Sequence, residues 1–166
     1  AYLAGIIPIN FMVFIQFYLR KFTIFFSYFC SMNKTFIQNS HRCAVGLGSN
    51  CNAAENLKKV RTALEKMFPD IRWSDVRQTT PHSMGPAADF LNQVGCFTTC
   101  MPADAITAQF KSLEKALGRT PEGKAAGIIT ADVDLLYYDE TVLKPADLKR
   151  DYVQMGLADL KQKVTR

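Results

Sequence analysis

The chain has 166 residues, 48% hydrophobic and 21% charged, with 20 basic against 15 acidic side chains and a net charge of +5. That length sets one domain as the expectation, and the composition is that of a globular protein rather than a disordered or fibrous one. The mild positive excess suits an anionic small ligand as well as nucleic acid, but no Lys/Arg run, zinc-like spacing or RNA-binding aromatic motif supports a nucleic-acid partner.

Ala1 to Met32 differs in character from the rest of the chain. Its charges are Arg20 and Lys21, and phenylalanine crowds Phe11 to Phe29. Leu3 to Leu19 has the length of a short membrane helix, interrupted by Pro8, Asn10 and Gln16, and it lacks the layout of a cleavable signal peptide. Three readings compete for residues 1–32: a membrane anchor, a disordered or packed extension, and translated sequence upstream of the true start. The third is favoured, because the chain begins with Ala and Met32 stands directly before a polar lead-in, Asn33-Lys34-Thr35; the anchor comes second. The cysteines are Cys30, Cys43, Cys51, Cys96 and Cys100. An odd count without a compact framework predicts reduced thiols in a cytoplasmic protein, and no CxxC or His/Cys group completes a metal site.

From Cys43 the chain becomes orderly. Cys43 to Gly48 reads as a short strand ending in the turn-forming Gly48-Ser49-Asn50. Asn52 and Glu55 have the spacing of a capping-box-like helix start, and Leu57, Val60, Leu64 and Met67 carry that helix to about Phe68-Pro69. Ile71 to Thr80 is expected as a strand of mixed polarity, and Pro81 to Ala88, with Pro81, Gly85 and Pro86, as a loop. Phe90 to Thr99 is the next strand, with Phe90, Asn92, Val94 and Cys96 on one face. Pro102 opens a second helix whose stripe is Ile106, Phe110, Leu113 and Leu117, capped by Gly118. A polar stretch, Thr120 to Gly127, comes next.

Thr130 to Tyr138 then reads as a buried strand interrupted by two carboxylates at i and i+2. Side chains alternate along a strand, so Asp132 and Asp134 share one face while Val133 and Leu135 pack on the other. Two like charges so placed are costly unless a cation or hydrogen bonds compensate. A hard divalent metal is one reading, and Mg²⁺ held by one or two carboxylates usually takes substrate phosphates as further ligands. An edge strand with two solvated carboxylates is the other. The tail from Leu143 to Arg166 is basic and weakly helical; the domain is expected over residues 42–153, with 154–166 outside it. The order strand, helix, strand, strand, helix, strand is the α+β, ferredoxin-like βαββαβ arrangement, an antiparallel sheet with two helices on one face.

Gly46-Leu47-Gly48-Ser49-Asn50, Phe90-Leu91-Asn92, Leu113-Glu114 with Leu117-Gly118-Arg119, and Asp132-Val133-Asp134-Leu135-Leu136 stand in this order and spacing. Together, over about Cys43 to Tyr152, they resemble the 6-hydroxymethyl-7,8-dihydropterin pyrophosphokinases of folate biosynthesis. The resemblance implies transfer of pyrophosphate from ATP to the hydroxymethyl group of a reduced pterin, leaving AMP. It implies two Mg²⁺ ions on Asp132 and Asp134, bridging the phosphates. It implies that Asn92 reads the edge of the pterin ring, that Phe90 stacks beside it, and that Thr80-Pro81 gives main-chain contacts. Glu114 and Arg119 match residues on the ATP side. Arg150 and Tyr152 match a phosphate-binding arginine and a pterin-stacking aromatic. The catalytic set implied is Asp132, Asp134, Arg119 and Arg150, in a cytoplasmic monomer acting on ATP and a pterin. Membrane contact enters only if residues 1–31 are an anchor.

The chain also departs from that family's pattern. Where the family carries a second arginine after the Gly-Arg pair, and a Trp-Gly-x-Arg ahead of the aspartates, this chain has Pro121, Ala126 and Ile129. Lys124 is the cation left in that loop, as an ATP-side candidate, and a lysine cannot make an arginine's two-pronged contact. The family's Pro-His segment before the last arginine is missing. Two functions stay open: a Mg²⁺-dependent pyrophosphokinase of minimal build, favoured by the retained aspartates, and a descendant binding pterin, nucleotide or a protein partner with little turnover, favoured by the lost arginines.

Overall fold

Cys43 to Ser49 is buried residue after residue, the pattern of a strand covered on both faces. The computed structural model describes residues 40–80 and 88–162 and places this strand, β1 (His41–Ser49), at the centre of an antiparallel sheet. β1 pairs with β4 (Phe90–Thr99) on one side and β5 (Asp132–Tyr138) on the other. β2 (Arg72–Trp73) and β3 (Arg77–Thr79) both pair with β4, and β6 (Thr141–Val142) pairs with β5. The fold is α+β and ferredoxin-like, as expected.

The strand expected over Ile71–Thr80 is two short ones. Trp73 lies opposite Gly95 and Arg77 opposite Asn92, so three residues stand against two and the extra one forms a bulge. Ser74 fills the gap: its N–H donates to Val94 O at 2.9 Å and its hydroxyl accepts from Val94 N–H at 3.0 Å.

Helices α1 (Ala53–Met67) and α2 (Ala103–Ala116) cover one face of the sheet, burying Leu57, Val60, Leu64, Ile106 and Phe110. Phe68 stacks on Phe97 at 4.0 Å and meets Phe110 edge-on at 6.4 Å. Asn52 does stand before α1, yet its side chain makes no cap hydrogen bond. Its backbone is left-handed, at φ 45 and ψ 42, whereas side-chain capping uses an extended residue there. Gly118 ends α2 at φ +83, as expected. The polar stretch after it contains a short helix, α3 (Pro121–Ala125), which Thr120 caps by accepting from Gly123 N–H at 3.0 Å.

The C-terminal segment corrects the expected tail. After α4 (Pro145–Leu148), α5 (Asp151–Gln162) lies on the opposite sheet face from α1 and α2, so residues 154–162 belong to the fold. Val153 and Leu160 join Ala44, Val94 and Leu136 in a core cluster, with Leu148, Tyr152 and Leu157 packed against it. The periodic signal is thin because Gly156 occupies one of the buried positions and Met155 points outward. Among the described residues no helix is long and apolar enough to cross a membrane. The readings of residues 1–32 fall outside the described residues.

Gly156 is the contact point of α5 on the sheet: a Cβ built there would stand 2.8 Å from Val94 Cγ2 and 3.0 Å from Val94 Cβ. On an exposed helix Gly→Ala would stabilise by about 1 kcal/mol. Here the obstacle is a stiff, β-branched side chain on a strand, and overpacking costs about 1–3 kcal/mol. Gly156→Ala therefore lowers the melting temperature by several degrees. A rise in a thermal melt would mean that α5 does not rest on Val94.

Candidate active site

α5 covers only part of its sheet face. Toward the other end lies an open cleft of about 540 Å³, lined by Gly46, Gly48, Thr80, Phe90, Asn92, Asp132, Asp134, Arg150 and Tyr152 among others. Its floor is made by missing side chains. Gly48 lies between Asn92 on β4 and Asp132 on β5, and a Cβ there would come 3.1 Å from Asn92 Oδ1 and 3.8 Å from Asp132 Cβ. Glycine keeps the space that those two groups face clear across the central strand; a side chain there would crowd Asn92 Oδ1.

Asn92 is 5% exposed, and its Nδ2 donates to Thr79 Oγ1 at 2.8 Å across the β3–β4 pair. That bond leaves Oδ1 as the acceptor on the Gly48 side. Phe90 is two residues earlier on the same face. Thr80 lines the cleft next to Thr79, while Pro81 and the loop through residue 87 lie outside the described residues. The opposite wall comes from the α4–α5 junction. Arg150 Nε pairs with Asp147 Oδ1 at 3.0 Å, and burial pushes the Tyr152 hydroxyl up to about 12.

The segment leading into the aspartates is stapled to the end of β1. Ser49 Oγ donates to Thr130 O at 2.8 Å, and Asn50 Nδ2 to Gly127 O at 2.7 Å. Asn50 Oδ1 in turn accepts from Ile129 N–H at 2.7 Å. The Gly-Ser-Asn stretch thus holds the entry to β5 as well as turning the chain.

Asp132 and Asp134 face the cleft from β5 while Val133 and Leu135 are buried behind them. The two carboxylates are compensated unequally. Asp134 Oδ1 lies 3.0 Å from Lys144 Nζ and 3.5 Å from Lys111 Nζ. Burial works against its charge, but these two ammonium groups hold it below the usual carboxylate range. Asp132 meets Arg119 Nη1 at 3.1 Å. Burial and the neighbouring Asp134 outweigh that arginine and push Asp132 up. The anionic form of Asp132 is therefore the less well compensated of the two, on the cleft side.

Two oxygen donors on alternate residues of a strand fit a hard divalent cation that takes its remaining ligands from water or phosphate. Among the described residues no group of three or more His, Cys, Asp or Glu converges; Asp132 and Asp134 are a pair on one strand that could hold such an ion.

None of the three residues expected beside ATP lines the cleft. Glu114 is 5% exposed and faces the sheet; its Oε1 accepts from Val133 N–H at 2.8 Å and from Lys111 Nζ at 2.8 Å. The signal for this is in its spacing, since Ile106, Phe110 and Glu114 fall at i, i+4 and i+8. Lys124 is exposed on α3 and does not line the cleft. Arg119 reaches Asp132 while its Nη1 also donates to Ala131 O at 2.8 Å. Lys111 and Lys144 do not stand out in the sequence, because neither lies in a motif.

The model of the 7,8-dihydro-6-hydroxymethylpterin-pyrophosphokinase (HPPK) family matches residues 44–162. No curated protein matches the chain. Among solved structures, the Bacillus subtilis YXEP protein, a dinuclear metal-binding peptidase of the M20 family, is similar at a TM-score of 0.28 and 15% identity. The match covers 63% of this chain and 26% of that one, and a likeness so slight carries no argument.

The unequal compensation separates two substitutions of the same chemistry. Asp134→Asn removes a carboxylate whose folded-state affinity for protons is lowered. It should cost about 1–2 kcal/mol at pH 7, between a surface pair and a buried one. Asp132→Asn removes one whose proton affinity is raised and should leave the protein equally or more stable. The linkage signs are opposite. Asp134 contributes stability above the ordinary carboxylate range, lost as pH falls through its lowered value. The penalty from Asp132 is absent at low pH and appears as pH rises through its raised value. Thermal melts at pH 7 and pH 3 check this: both differences from wild type should shrink in acid. Equal destabilisation by the two substitutions at pH 7 would contradict it.

Proposed function

The chain belongs to the 7,8-dihydro-6-hydroxymethylpterin-pyrophosphokinase family, and from that membership we propose that it transfers pyrophosphate from ATP to the hydroxymethyl group of 6-hydroxymethyl-7,8-dihydropterin, with Mg²⁺ required and AMP released. The observation that carries this reading is the convergence of Thr80, Phe90, Asn92, Asp132, Asp134, Arg150 and Tyr152, from separate elements, on one cleft.

At the pterin end, Thr79 fixes the Asn92 amide so that Oδ1 accepts from a ring N–H or amino group. Phe90 and Tyr152 offer faces for the ring, and Thr80 offers main-chain groups beside it, continuing into Pro81. At the phosphate end Arg150 meets phosphate oxygens, and Arg119 pairs with Asp132 and orients its carboxylate. Glu114 acts behind the site, fixing Val133 between the two aspartates and holding Lys111. The hydroxymethyl oxygen forms a bond to the β-phosphorus, and the bond from that phosphorus to the α–β bridging oxygen breaks with its electrons on AMP. The hydroxyl proton passes to solvent. Two Mg²⁺ ions at Asp132 and Asp134 would supply charge neutralisation on the phosphates. Positioning and electrostatics account for most catalysis of this kind, so ordered side chains matter more here than a general base. We take the protein to act on small molecules as a cytoplasmic monomer.

A second reading, binding without useful turnover, is favoured by the loop ahead of β5. Pro121 opens α3, Ala126 caps its end, and Ile129 is 4% exposed, so none of the three brings a cation to the phosphates. Full-length protein with ATP, Mg²⁺ and hydroxymethyl-dihydropterin decides between the two. AMP released in step with pterin consumed, and abolished by EDTA, supports the transferase. Binding of both ligands without AMP supports the second reading.

Asn92→Ala tests the pterin end. It should weaken pterin binding by about 1–3 kcal/mol, the cost of leaving a desolvated partner unpaired, and leave ATP affinity unchanged. Calorimetric titration of each ligand reads this directly. Equal loss of both would make Asn92 a support of the sheet rather than a ring contact.

A further inference from the structure

The acidic side of the cleft is met by two ammonium groups from different elements, and both reach the same oxygen. Lys111 comes from α2; its Nζ lies 2.8 Å from Glu114 Oε1 and 3.5 Å from Asp134 Oδ1. Lys144 comes from the turn between β6 and α4, and its Nζ lies 3.0 Å from Asp134 Oδ1. Their settings differ. The Lys111 ammonium is shared with a buried carboxylate that also accepts a backbone N–H of β5, so it belongs to the scaffold. The Lys144 backbone is tied down, its N–H donating to Leu136 O at 3.2 Å; its side chain is about as exposed as that of Lys111, 44% against 49%, but it pairs with the carboxylate that faces the cleft and, among the described residues, with no second carboxylate.

We propose that Lys144 is an exchangeable cation of the phosphate site: its ammonium competes with a divalent metal ion for Asp134 and, once displaced, bonds a phosphate oxygen of the bound nucleotide. This deepens the proposed function and rests on it.

The charges around the cleft favour exchange over a fixed pair. Asp132, Asp134, Asp147 and Asp151 line it together with Lys149 and Arg150, and Arg150 is already engaged by Asp147. A polyphosphate adds several negative charges to that balance and needs cations beyond those two. An ammonium at 3.0 Å occupies a lone pair that the metal needs and repels the metal at close range. A lysine is a compact charge on a flexible four-carbon stem with three rotatable donors. It can leave a carboxylate for a phosphate within reach of that stem while its backbone stays in place. Metal binding and nucleotide binding are then coupled: the metal alone must evict the ammonium, whereas metal with nucleotide gives it a new partner. Such coupling is reciprocal between the two ligands.

The test uses full-length wild type, Lys144→Gln and Lys144→Arg, titrated calorimetrically with Mn²⁺ alone and with α,β-methylene-ATP in the presence of Mn²⁺. The exchange predicts opposite changes for Lys144→Gln: Mn²⁺ alone binds about 5-fold tighter and the nucleotide analogue about 10-fold weaker, within the usual range of coupling between sites. Lys144→Arg, which keeps the charge, restores nucleotide affinity to within about 3-fold of wild type. A thermal melt of each variant shows that the fold is intact. No change in either titration, a loss of both, or weaker nucleotide binding with unchanged metal affinity each overturns the exchange. Wild type that binds neither Mn²⁺ nor the analogue overturns the proposed function itself, which separates the two failures.

Discussion

Two carboxylates on alternate residues of a strand repel one another across a few ångströms, and burial strengthens that repulsion. Much of the architecture beside β5 compensates for it. Arg119 reaches Asp132 from just beyond the C-terminal end of α2, Lys111 reaches Asp134 from the same helix, and Lys144 reaches Asp134 from the turn after β6. Among the described residues only the short β6 pairs with the outer edge of β5, at Tyr137 and Tyr138. Among them no strand neighbours the stretch at Asp132–Asp134 on that side, and cations from α2 pass round to the cleft face there. A longer β6 would close that route.

The covalent neighbours of the two aspartates carry the other half of the constraint. Val133 is buried at 1% exposure between them, and Glu114 accepts its N–H. A third carboxylate behind two others would be unfavourable by itself. Lys111 resolves this by bridging Glu114 and Asp134, so that one ammonium serves both sides of the strand. Glu114 is therefore better understood through the backbone it fixes than through a ligand.

What the sequence made legible was the part governed by periodicity and by alternation. The order of β1, α1, β4, α2 and β5, the shared face of Asp132 and Asp134, and the shared face of Phe90, Asn92 and Val94 all follow from spacing. The parts missed depend on contacts between distant residues. Gly156 reads as a helix weakener until Val94 is known to lie 2.8 Å from where its Cβ would be, so α5 resembled a solvated tail. Asn52 fits a capping motif in every respect except its backbone conformation, which spacing does not encode. The break after Ser74 exists because β2 and β3 keep register with β4 at both ends and have one residue too many between them. Lys111 and Lys144 are ordinary surface lysines in the sequence. They become site residues only when the fold brings α2 and the turn after β6 onto Asp134.

α5 links the stability of the domain to the geometry of the cleft. Its first turn carries Tyr152, and Arg150 stands just before it, both on the cleft wall. The later turns seat Val153, Gly156 and Leu160 on the sheet. Farther along, Asp159 accepts from Arg77 Nη2 at 2.8 Å, and Arg77 lies on β3 two residues before Thr79, which orients Asn92. One helix thus sets the position of the aromatic wall directly and that of the Asn92 amide through β3. A shift of α5 would move both together, because the same strand pair, β3 and β4, carries the asparagine and receives the helix. The two ends of the cleft are held by different devices: the Asn92 end by packing of α5 on β4, the Asp132–Asp134 end by charge around the open edge of β5. Packing changes little with ionic conditions, whereas charge pairs respond to salt and to bound ions, so any adaptability of the cleft resides at the aspartate end.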